Sequence, residues 1–144
     1  MGATRTATLS SSWEDDELLI RVLVVDDHPV LRAGLEAVLR VEPGFVCVGT
    51  ASDGHSLLAA LRRTRPDVVL LDWRLGEEDG LALCRSLRAE PAPPEVVLYT
   101  ASAEGGLLEQ AAGAGAFAVV EKTADIDQLF DALRLAVRGG RQAA

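Results

Sequence analysis

Five short apolar runs, each separated from the next by an amphipathic segment, constrain this chain more than any other feature of it. Residues 21–25, 46–48, 68–71, 96–99 and 117–120 are rich in valine and lack polar alternation, the pattern of strands buried on both faces. Between and after them, apolar residues recur at helical spacing: Leu31, Leu35, Val38 and Leu39; Leu57, Leu58 and Leu61; Leu81, Cys84 and Leu87; Leu107, Leu108 and Ala111; Ile126, Leu129, Phe130, Leu133 and Val137. Strict alternation with short connections predicts an α/β domain, a parallel sheet with right-handed crossovers and helices on both faces. Pro43-Gly44, Pro66-Asp67 and Pro91-Ala92-Pro93-Pro94 each fall just before a strand, where a helix must stop. With 144 residues, 49 % of them apolar, the chain suits one ordinary domain.

Charge and composition exclude several classes. The net charge of −8 argues against a phosphate-backbone footprint, so the chain is not expected to bind DNA itself. No apolar run approaches the ~18 residues of a membrane span, and the first 20 residues lack the apolar stretch of a signal peptide. A cytoplasmic protein is expected. Cys47 and Cys84 sit in apolar surroundings without CxxC or Cys/His spacing, which reads as buried free thiols.

The polar residues that end the strands carry the chemistry. Asp26 and Asp27 follow the first run, Asp72 the third, Thr100 the fourth, and Glu121 and Lys122 the fifth. Open α/β sheets bind ligands beyond the carboxyl ends of their strands. A single acid there is ordinarily a helix cap or a solvated loop residue, but adjacent acids at a sheet edge repel unless a cation or a lysine is near. With Asp72 they offer the carboxylates of a hard-cation site, and Mg²⁺ prefers a few such oxygens plus waters. Asp72 follows four apolar residues, so desolvation should disfavour its ionised form unless Lys122 compensates. Thr100 alone would be a β-branched strand residue capping the next helix. A carboxylate nucleophile, a divalent cation, a lysine and a hydroxyl together suit phosphoryl transfer. His28, before Pro29, reads as a solvent-facing loop residue, and His55 as a helix-opening one; neither is read as a phosphodonor.

VLVVDDHPVLRAGLEAVL, PDVVLLDWRL followed by DGLALCRSLR, VVLYTAS, and GAGAFAVVEK before a final amphipathic helix together resemble the receiver domain of bacterial response regulators, nearest the NarL/FixJ (LuxR-type) branch. The resemblance covers residues 21–139. It implies a flavodoxin-like fold with five parallel strands in the order 2-1-3-4-5 and five helices. It also implies that Asp72 accepts a phosphoryl group from the phosphohistidine of a sensor histidine kinase. Asp27, Asp72 and the backbone carbonyl of Arg74 would hold Mg²⁺ directly, and Asp26 mainly through water. Lys122, the Thr100 hydroxyl and the backbone N–H of Ala101 would contact phosphoryl oxygens. Phosphorylation would then switch a surface around the fourth helix, fifth strand and fifth helix, with control of transcription as the output. Relatives of this branch dimerise through helices 1 and 5 or 4 and 5.

The expected layout is a flexible N-terminal extension over 1–19, a receiver over 20–139 and a tail or linker remnant over 140–144. Departures from the family pattern stand at Gly76, where a proline is common, with Glu77 and Glu78 next. There the loop should be looser, its two acids pointing to water or repelling the phosphoryl group. Val119 occupies the position of an aromatic switch, and Thr123 that of a proline after a cis bond. A DNA-binding output domain is missing from these 144 residues, which fits either an excised receiver or a stand-alone one. Two other readings stay open. An aspartate-nucleophile phosphatase would want a general acid two residues after Asp72, where Arg74 stands. A phosphorylation-independent interaction module would explain Gly76, Glu77, Glu78 and Val119.

Overall fold

A computed structural model describes residues 19–143. The expected flexible extension, Trp13 included, therefore lies outside the described residues except for Leu19. Ten main elements alternate: β1 (Ile20–Val25), α1 (Pro29–Val41), β2 (Phe45–Ala51), α2 (Gly54–Thr64), β3 (Val68–Asp72), α3 (Gly80–Arg88), β4 (Glu95–Thr100), α4 (Leu107–Gly113), β5 (Ala118–Glu121) and α5 (Ile126–Ala143). The five strands form one parallel sheet in the order β2-β1-β3-β4-β5. That is the flavodoxin-like 2-1-3-4-5 arrangement.

Alternation along each central strand divides the core in two. Val22, Val24, Val68, Leu70, Val97 and Tyr99 face α1 and α5, meeting Leu35, Leu39, Leu129 and Leu133. Leu23, Val25, Val69, Leu71, Val96 and Leu98 face the opposite layer, meeting Leu57, Leu61, Cys84, Leu87 and Ala111 of α2, α3 and α4. Burying each such leucine contributes about 1.5–3 kcal/mol. Every residue of β3 is buried, which is why its sequence shows no polar alternation. Cys84 is fully buried and Cys47 half-buried; both are free thiols. Burial pushes the Cys84 thiol up to about 11.

Local chemistry sets the helix starts. Asp53 caps α2 by accepting from the Ser56 backbone N–H at 2.7 Å, while the Ser56 hydroxyl answers the Asp53 backbone N–H at 3.2 Å. Asp79 caps α3 through the Leu81 N–H at 3.0 Å, and Pro29 occupies the first turn of α1. Three details differ in extent from the sequence reading. β2 runs to Ala51, Phe117 stands one residue before β5, and α5 continues through Gly139 and Gly140 to Ala143. The peptide bond between Lys122 and Thr123 is trans, as are all the described ones.

The loop after β3 is more ordered than the glycine at position 76 suggests. Arg74–Leu75 pairs with Glu78–Asp79 in a two-residue antiparallel ladder. Gly76, at φ +60°, turns its N–H onto Asp27 Oδ2 at 2.9 Å. Glu78 is exposed, as the water-facing reading expects, but its Oε1 also accepts the Gly54 N–H at 2.9 Å and so ties the loop to the start of α2. The expected looseness is thus offset by hydrogen bonds from two other elements.

Candidate functional site

Parallel register assembles the site. Val25 pairs with Leu71 across β1 and β3, so the next residues, Asp26 and Asp72, stand side by side at the strand ends. Asp72 pairs with Tyr99, and Thr100 with Glu121. Lys122 follows directly, its backbone N–H donating to the Thr100 carbonyl at 2.6 Å.

Lys122 is the single lysine of the chain. Its Nζ donates to Asp72 Oδ2 at 3.1 Å and lies 3.5 Å from Asp26 Oδ2. Its ammonium also rests 5.8 Å from the centre of the Tyr99 ring. Asp26 and Asp72 are 1 % and 4 % exposed, among the few buried polar residues of the fold. Desolvation pushes the Asp72 carboxyl above the usual carboxylate range and the neighbouring Asp26 adds to this. The hydrogen bond from Lys122, the Arg74 N–H at 3.3 Å and the Lys122 charge act in the opposite sense.

Asp26 and Asp72 therefore share one ammonium, with Asp27 grouped beside them. Asp26 Oδ1 is occupied by the His28 backbone N–H at 2.7 Å and the ring Nδ1 at 3.1 Å, and Asp27 Oδ2 by Gly76. The remaining oxygens, Asp26 Oδ2 and Asp27 Oδ1, are buried and accept no hydrogen bond. Oxygens in that condition are costly unless a cation meets them. One ligand atom each from Asp26, Asp27, His28 and Asp72 can be chosen so that all four lie within 4.8 Å of one another. The oxygen-rich part of this set fits a hard divalent cation.

Thr100 is buried at the end of β4, and its hydroxyl donates to the Ser102 carbonyl at 3.1 Å while accepting the Ser102 N–H at 3.3 Å. Ala101 is the first, exposed residue of the loop that follows. The strand ends thus gather Asp26, Asp27, Asp72 and Lys122 directly, with Arg74 joined to Asp72 through its backbone; Thr100 is turned onto its own loop.

Four groups escaped the sequence reading. His28 is exposed as expected, yet its Nδ1 lies 3.1 Å from both Asp26 Oδ1 and Asp27 Oδ1. Its position next to the acid pair was the available signal. Arg32, one helical turn into α1, donates to the Asp26 carbonyl at 2.7 Å. The Gly76 N–H and the Glu121 carboxylate, which accepts from the Ala103 N–H at 3.2 Å, left no local signal.

Comparison with known proteins decides the family. The model of the response regulator receiver domain matches residues 22–134. The chain belongs to the response regulator receiver family. The receiver is 31 % identical over 121 residues to the transcriptional regulatory protein LiaR of Bacillus subtilis, covering 84 % of this chain and 57 % of LiaR. It is likewise 31 % identical over 121 residues to the nitrate/nitrite response regulator protein NarP of Escherichia coli, covering 84 % and 56 %. Among solved structures, the signal receiver domain of a NarL response regulator from Mycobacterium tuberculosis matches with a TM-score of 0.78 and 31 % identity, over 84 % of this chain and 98 % of that one. The receiver therefore spans little more than half the length of these curated relatives, one named as a transcriptional regulatory protein and the other as a response regulator. Among the described residues, no helix is long and apolar enough to cross a membrane.

Proposed function

We propose that the receiver accepts a phosphoryl group on Asp72 from the phosphohistidine of a sensor histidine kinase, with Mg²⁺ bound, and switches its surface to control an output. The observation that carries this reading is the Asp72 carboxylate held at 3.1 Å by the lone lysine, beside two buried carboxylate oxygens that accept no hydrogen bond. An Asp72 oxygen attacks phosphorus, the phosphorus–nitrogen bond breaks, and the histidine leaves with the bonding pair. An acyl phosphate results. Asp27, Asp72 and the Arg74 carbonyl would hold Mg²⁺ directly, and Asp26 through water. The ion supplies neutralisation of charge on the transferring group. Lys122 exchanges its Asp72 contact for a phosphoryl oxygen, while the Ala101 N–H and, after leaving Ser102, the Thr100 hydroxyl donate to others.

The name of LiaR, a transcriptional regulatory protein, supports a regulator of gene expression, an output we assign to the whole regulator rather than to the receiver alone. The acidic charge supports a receiver that does not itself read DNA; we assign it to the cytoplasm, turning over no substrate beyond its own phosphoryl group. A second copy would dock through α1 and α5 or α4 and α5. The exposed Val30, Leu108 and Leu135 lie on those helices.

Incubation with acetyl phosphate and Mg²⁺, read by intact mass, tests the assignment. One added phosphoryl group is expected, not formed when the Mg²⁺ is chelated beforehand and absent from Asp72→Asn. An unchanged wild-type mass would favour a phosphorylation-independent interaction module, and a modified Asp72→Asn protein would move the acceptor elsewhere.

A further inference from the structure

The loop from Ala101 to Gly106 joins β4 to α4, and little holds it. It ends in Gly105 and Gly106, both at positive φ and with open space where a Cβ would stand. The helix it enters, α4, is only seven residues long. In the family pattern an aromatic residue on β5 answers the movement of this loop; here that position is Val119, packed against the α2–α4 layer. A different group on β5 reaches the loop instead. Glu121 Oε1 accepts the Ala103 N–H at 3.2 Å, bridging 18 residues of sequence.

That hydrogen bond bears on Thr100. The Thr100 hydroxyl has one proton, and it is committed to the Ser102 carbonyl. Ser102 immediately precedes Ala103, so the bond that fixes the Ala103 N–H also fixes the peptide carrying that carbonyl. Turning Thr100 toward a phosphoryl group requires the loop to release it, and Glu121 opposes the release. Beside the contact lies an open cleft of about 460 Å³ lined by Ala103, Val119, Glu121, Ala124, Gln128 and Leu135, room into which the side chain can withdraw.

We propose that Glu121 is a positioning residue that restrains the β4–α4 loop in its resting arrangement and thereby sets how readily Thr100 engages the phosphoryl group. This rests on the receiver chemistry proposed above. The consequence is opposite to that of a merely structural contact: removing Glu121 strengthens phosphoryl-state binding. Because the residue is exposed, its truncation leaves both core layers intact.

The experiment uses the full chain carrying Trp13→Phe, so that Trp73, the residue next to Asp72, is the remaining tryptophan and reports on the site. Beryllofluoride with Mg²⁺ is titrated as the phosphoryl mimic, and phosphoryl uptake from acetyl phosphate is timed by mass. Glu121→Ala is expected to bind beryllofluoride more tightly and to take up phosphoryl faster, each by roughly two- to tenfold, the range of one net hydrogen bond. Glu121→Gln retains an acceptor oxygen and should stay near the parent. In the ligand-free protein the Ala103 amide should exchange with solvent faster in Glu121→Ala. Equal or weaker beryllofluoride binding by Glu121→Ala, or unchanged Ala103 exchange, overturns the proposal while leaving the receiver chemistry intact. A parent that takes up neither beryllofluoride nor phosphoryl removes that chemistry, and the proposal falls with it.

Discussion

Asp72 sits at the end of a strand whose every residue is buried, and its carboxyl is accordingly held above the usual carboxylate range, chiefly by desolvation. Between the ordinary carboxylate pKa and that raised value, the folded chain keeps a proton that the unfolded chain has released. Stability therefore falls as pH rises through the window, and the penalty is complete above it. In metal-free buffer Asp72→Asn should be the more stable protein at about pH 7, with the difference shrinking toward about pH 4. Urea midpoints of both proteins across that range provide the check; a wild type that gains on the variant as pH rises would contradict it. The same logic explains Lys122: the sole ammonium offsets part of the cost of Asp72 without abolishing it.

Among the elements, the connection from β3 to α3 controls the site most closely. Gly80 has no room for a side chain, since a Cβ there would lie 2.5 Å from the Trp73 carbonyl oxygen and 2.7 Å from that of Asp72. Its N–H donates to the Trp73 carbonyl at 2.9 Å. Both contacts are backbone and cannot swing aside. Gly80→Ala should therefore shift the segment carrying Asp72 and Arg74, costing about 1–3 kcal/mol of stability and slowing phosphoryl uptake. Chemical denaturation and the timed mass assay measure the two effects. A variant as stable as the parent would show that the loop relaxes freely. The ladder at Arg74–Leu75 and the Glu78 tie to Gly54 argue against that freedom.

For the molecule as a whole, the strand ends are a place where stability is given up for chemistry. Asp26 and Asp72 share one ammonium, Asp27 is grouped with them, and two buried oxygens accept no hydrogen bond. A divalent cation that binds only the folded state should recover some of that loss. Mg²⁺ is expected to raise the unfolding free energy with the logarithm of its concentration, by about 2.7 kcal/mol at a hundredfold excess over its dissociation constant. Asp27→Asn should remove most of the gain. Thermal melts of both proteins across a Mg²⁺ series, with a matched monovalent salt control, would show it; equal gains in the two would point to ionic strength instead.

How far the molecule was legible follows from the range of the interactions. The Val-rich runs of β1, β3 and β4 disclose buried strands because burial on both faces leaves one solution for residue type, and the acids after them fall at the strand ends by chain continuity alone. Asp26, Asp27, Asp72 and Lys122 could thus be collected from the order of residues along the chain. The order of the strands needed the family resemblance, since alternation is satisfied by more than one winding. The backbone partners of polar side chains were out of reach. Glu121 to Ala103, Gly76 to Asp27 and Glu78 to Gly54 span 18, 49 and 24 residues and involve a backbone N–H at one end. Every residue but proline carries such a donor, so side-chain identity does not select it. The sequence by itself determined which groups stand at the carboxyl edge of the sheet. Only the tertiary structure decided which of their oxygens are taken and which are left for a cation, because that depends on the path of three loops through space.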